Sequence, residues 1–95
     1  MTDQPSRLAV ALVLHQAWWD DHPTWHGHAL YLDEDTAKEH AAHDYLDDEY
    51  GPQDDEEPTY RPTLTWVEEY ARWHLLADGT ATGVQIATAN VYRTA

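Results

Sequence analysis

The chain has no cysteine, no phenylalanine, one methionine and four glycines. Without cysteine, neither a disulfide framework nor a thiolate metal site can form. Without phenylalanine, five Trp and six Tyr must supply much of the buried area, each able to cover roughly 150–250 Å². Serine occurs once, as Ser6, and lysine once, as Lys38. A nucleophile with a positioned base is therefore hard to assemble, and the glycines build no phosphate-cradling loop. A non-enzyme is expected. Apolar runs are also short. LAVALVL, from Leu8, gives way to His15 and Gln16, short of the ~18 apolar residues that cross a bilayer. No small-residue cleavage pattern follows it, so a cytoplasmic protein is expected.

What is present is negative charge, and it is regional. The 95 residues carry a formal net charge of -13. Residues 33–57 hold twelve acids against Lys38 alone, whereas the other 70 residues hold six acids and four bases. A concentrated block makes a directional field. Nucleic acid and anionic membrane would be repelled by it, while a basic protein or a cation would be attracted.

Ninety-five residues suit one domain, 1–95. Residues 1–6 are expected to form a flexible tail. Residues 8–18 alternate with period two, placing Leu8, Val10, Leu12, Leu14 and Trp18 on a large-residue face directed at the core. Pro23 and Gly27 mark a loop, and Ala29–Leu32 forms a short apolar run after it. Asp33-Glu34-Asp35-Thr36 starts a helix over 33–49, with Asp33 as its cap and acids at the positive end of the dipole. Gly51-Pro52 stops it. Ala37, Ala41, Tyr45 and Leu46 form a narrow apolar stripe, small enough for close approach to a sheet. Residues 51–62, GPQDDEEPTYRP, read as a mobile acidic loop. LTWVEEYARWHLLADG fits either a helix or two strands, 63–69 and 72–77, and its β-formers favour strands leading into a last strand over 84–92. The fold class is α+β, in the order β-α-β-β-β. Three to four antiparallel strands are covered on one face by a single acidic helix.

The segments HGHALYLDEDTAKEHAAHDY, TWVEEYARWHLL and VQIATANVYR resemble small acidic proteins of actinobacteria and their phages. In those proteins a strand end runs into an acid-capped helix with Ala on its inner face. The resemblance implies a phage or mobile-element setting and brings no catalytic motif with it.

Three constellations are candidates for function. The helix over 33–49 is about 25 Å long at ~1.5 Å per residue. Its eight carboxylates approach the spacing of duplex phosphates, one per ~3.4 Å along each strand. Asp33, Asp35, Glu39, Asp44, Asp47, Asp48 and Glu49, extended by Asp54, Asp55, Glu56 and Glu57, are thus candidate contacts to a basic, nucleic-acid-binding protein. In this reading the chain is a nucleic-acid-mimicking inhibitor of anti-CRISPR or anti-restriction type. Alternatively, the charge is simply a solvated face.

The second constellation is histidine. His22, His26 and His28 share a loop, and His40 and His43 share a helix face with Asp44 and Asp47, a donor set suited to zinc. None of these spacings matches a recognised zinc motif, and surface or packed histidines are the plain alternative. The third is aromatic. Adjacent Trp18 and Trp19 must point to opposite faces of a strand, leaving one of them, taken as Trp19, to anchor a small interaction module, whereas most Trp residues serve packing.

Overall fold

The computed structural model describes residues 8–51 and 60–94. The expected tail over 1–6 and most of the expected loop over 51–62, including Asp54–Glu57, lie outside these residues. Within them, the protein is one antiparallel sheet and one helix. The elements are β1 (Leu8–Trp19), β2 (Ala29–Tyr31), α1 (Glu34–Tyr50), β3 (Leu64–Glu69), β4 (Arg72–Ala77) and β5 (Thr80–Thr94). The spatial order is β2-β1-β5-β4-β3. The sheet therefore has five strands, the addition being three-residue β2, too short to show a period.

Helix α1 forms where local chemistry dictates. Asp33 is extended and accepts from the Thr36 amide, while Gly51 closes the other end at positive φ, its N–H donating to the Asp47 carbonyl. Ala37 and Ala41 are fully buried and Tyr45 nearly so. Two methyl groups at i and i+4 let the helix lie close to the sheet, and Tyr45 fills the end of the contact.

β3 and β4 are strands, joined through Tyr70 and Ala71; β4 and β5 are joined through Asp78 and Gly79. All four turn residues have positive φ, as type I′ two-residue hairpin turns require. Asp-Gly adopts this readily; Tyr-Ala does so against the steric preference of a Cβ-bearing residue.

The face of β1 that packs is the opposite of the one expected. Ala17 and Trp19 are buried, with Val84, Ile86 and Leu75 from β5 and β4, whereas Leu8, Val10 and Leu12 are exposed. The helix selects the face: Ala37 and Ala41 meet a surface with small Ala17 at its centre, and the larger residues of the alternate face would hold the helix off. Trp19 sits at the end of this layer. Its indole meets the rings of Trp25 and Tyr45 edge-on and stacks on His22, and its Nε1–H donates to the Thr82 carbonyl at 2.9 Å.

β1 and β5 outrun the rest of the sheet. β2 pairs only with residues 15–17, and β4 reaches β5 only as far as Ala87. Beyond this, Leu8–Leu14 and Ala89–Thr94 pair with each other as a two-stranded ribbon, with a register shift between Val10 and Leu12.

Candidate acidic interface

The described carboxylates expected at the interface all lie on α1 or its cap, but they do not form one row. Asp35, Glu39, His43 and Asp47 follow the i, i+4 ridge, interrupted by the histidine. Asp44 and Asp48 fall on the next ridge, and Glu49 continues the row of Ala37, Ala41 and Tyr45. Asp35, Glu39, Asp48 and Glu49 are exposed, while Asp44 and Asp47 are half-buried. Asp33 serves the fold, because both its carboxylate oxygens engage Thr36, one the backbone N–H at 3.0 Å and the other the hydroxyl. The Thr36 hydroxyl, then its backbone N–H, holds the Asp33 carboxyl below the usual range.

Positive charge in this region is tied down. Lys38 is the one base within 33–57, yet its Nζ lies 3.2 Å from the centroid of the Trp73 ring and 3.6 Å from a Glu34 oxygen. Trp73 Nε1 in turn donates to Glu34 at 2.6 Å. Glu34, Lys38 and Trp73 thus make a closed set on the sheet side of the helix. Arg61 donates to the Gly51 carbonyl at 2.7 Å, beside the helix C-terminus. Arg72 lies near the Trp18 ring and donates to Gln85. The solvent side of α1 is left to carboxylate and histidine.

The C-terminal end of α1 runs against helix electrostatics. Asp47, Asp48 and Glu49 crowd the negative end of the dipole, and its last turn holds no base. Each acid there costs a few tenths of a kcal/mol, up to about 1 kcal/mol.

The histidine groups divide. In the loop, His22 Nδ1 contacts the Asp20 carbonyl at 2.8 Å, and His28 Nε2 contacts the His22 carbonyl at 2.9 Å. These two rings brace the turn beneath Trp19, and His26 is exposed beside them. His40 tilts against Tyr31. Among the described residues, His43 alone joins a donor cluster: its Nδ1 lies 3.5 Å from Asp47 and 3.7 Å from Asp44, and one donor atom from each residue falls within 4.8 Å of the others. Glu39, His40 and His43 line an adjoining shallow depression of about 270 Å³.

Trp19 is no surface anchor. It is 3 % exposed and Trp25 is 4 % exposed, so neither offers a binding platform. Trp18 is the half-buried partner of the pair, with Asp20 accepting from its Nε1 at 3.1 Å. Composition gave no way to choose between the two; the choice rests on which face of β1 the helix covers. Trp73 had no expected role beyond strand formation. The i, i+4 spacing of Glu34 and Lys38 was the visible trace of its cluster.

No described helix is long and apolar enough to cross a membrane. Comparison with protein-family models, curated proteins and solved structures finds no match for the chain.

Proposed function

We propose that the protein is a non-enzymatic, cytoplasmic acidic binding protein that occludes a basic, nucleic-acid-binding surface of a partner protein. It would act as a nucleic-acid-mimicking inhibitor of the anti-CRISPR or anti-restriction kind, in keeping with the resemblance to phage and actinobacterial proteins. The observation that carries this reading is the withdrawal of Lys38 onto Trp73 and Glu34. Among the described residues, it leaves the outward side of α1 without a competing cation. Carboxylates kept at the wrong end of the helix dipole add support, because folding alone disfavours them. Asp35, Glu39, Asp44, Asp47, Asp48 and Glu49 are the described contact groups, and Asp54–Glu57 extend the same charge in sequence. Association should be fast and weakened by salt. Charge reversal at Asp44, Asp47, Asp48 and Glu49 tests it: loss of partner capture is expected, and undiminished capture would sink the proposal.

One observation favours a second reading, the convergence of His43, Asp44 and Asp47. Imidazole and two carboxylates suit Zn²⁺, and such a site would make the helix metal-responsive. A rise in melting temperature when Zn²⁺ is added after chelation, absent in His43→Ala, is its signature. No rise in the unmodified protein removes it.

A further inference from the structure

The ribbon formed by Leu8–Leu14 and Ala89–Thr94 is unlike the rest of the described residues. Leu8, Val10, Leu12, Val13, Val91 and Tyr92 are each 39–66 % exposed. At ~3.3 Å per residue the ribbon projects about 23 Å. No other described strand borders it on either edge. Two strands alone are marginal in water; three or more with an apolar face are needed for independent stability.

The two edges differ. Soluble proteins blunt exposed edges with charge, proline or very short strands. Ala89–Thr94 carries Asn90 and Arg93, whereas LAVALVL carries no charged residue, no proline and no glycine. Seven apolar residues in sequence, two of them valine, on an edge that no other described strand covers, form a pairing template.

We propose that the outer edge of β1 over residues 8–14 pairs antiparallel with the same edge of a second copy, joining two sheets about a two-fold axis. A strand edge read antiparallel is complementary to itself, so one segment supplies both halves of an isologous contact. Joining two ribbons gives four strands where each copy has two. The strand from the second copy continues the column that β2 occupies over residues 15–17, so the column is filled without displacing β2. Charge argues against a basic partner here. The segment is neutral, and offers nothing to the basic surface that α1 suits. Antiparallel pairing places the two bodies at opposite ends of the shared strands. Their acidic helices are then separated by more than the Debye length of about 8–10 Å at ordinary salt. The contact does not involve α1, and so stands or falls independently of the function proposed above.

Sedimentation equilibrium and light scattering of the full chain at about 1–100 µM test this. The expected species has twice the 10.9 kDa chain mass. Val10→Lys combined with Leu12→Lys should give the single-chain mass while helix content and Trp fluorescence persist, because both residues lie outside the buried core. Should that variant fail to fold, amide exchange of the unmodified protein decides. Exchange over residues 8–14 should slow at least about tenfold across the same concentration range. A single-chain mass at the highest concentration, a dimer indifferent to both lysines, or exchange independent of concentration would overturn the proposal. So would protection that arises only when a basic partner protein is added, since that would make the occupant a different chain.

Discussion

Lys38 Nζ rests 3.2 Å from the centroid of the Trp73 indole, at the sheet side of α1. The lysine therefore contributes little to the field on the solvent side, and its stem and charge instead fasten the helix to β4. Trp73 completes the link by donating Nε1–H to Glu34.

Trp73→Phe keeps a ring under Lys38 but removes the bond to Glu34. The expected loss is about 1–2 kcal/mol, since a charged acceptor loses its partner. Trp73→Leu also removes the cation–π contact and should cost about 0.5–2 kcal/mol more. Urea unfolding of both variants measures the difference, and equal midpoints for all three proteins would show that the cluster does not hold the helix.

Gly27 is held open for an indole. A Cβ at this position would overlap the six-membered ring of Trp25, which is buried against Trp19. Gly27→Ala should destabilise the fold by about 1–3 kcal/mol through displacement of a packed ring. A thermal melt followed by Trp fluorescence checks it, and a shifted emission maximum before unfolding is the accompanying sign.

The last turn of α1 sets stability against function. Asp47→Lys and Asp48→Lys replace acids with bases at the negative end of the dipole, and together should stabilise by about 0.5–1 kcal/mol. Partner capture should weaken in the same variant. Denaturant midpoints and capture are read side by side; a variant that is both less stable and equally competent would contradict the assignment.

Asp33 makes α1 sensitive to acid. Its carboxyl is held low by the Thr36 hydroxyl and then by the Thr36 amide, so the folded form favours the charged state. That contribution is complete above the ordinary aspartate range. It is lost as pH falls through that range toward the lowered folded value. Asp33→Asn preserves a capping acceptor without a titrating group. Circular dichroism should therefore show less dependence of helix stability on pH in Asp33→Asn than in the unmodified protein, over the acid range alone.

Much of the fold was legible because its signals are local. Asp33 and Gly51 bound α1 within a residue of expectation, and Ala37, Ala41 and Tyr45 mark its buried stripe. The β-formers of 63–77 resolve as strands for a similar reason. What could not be read was set across the chain. Whether Ala17 and Trp19 or Leu12 and Trp18 face the core depends on which surface admits a helix lined with alanine. β2 exists only because its three residues meet the end of β1. At the acidic interface, the carboxylates were visible as a count, but their division into ridges and the capture of Lys38 by a tryptophan 35 positions later are products of packing.

The interface is tested most directly by affinity capture from host lysate at about 50 mM and about 200 mM salt. The two baits are the unmodified protein and the Asp44→Lys, Asp47→Lys, Asp48→Lys, Glu49→Lys variant, with captured proteins identified by mass spectrometry. Basic nucleic-acid-binding proteins should be recovered by the unmodified bait at low salt, released at the higher salt, and missed by the variant. Equal recovery by both baits, or recovery of no basic protein at low salt, would contradict an acidic helix as the working surface.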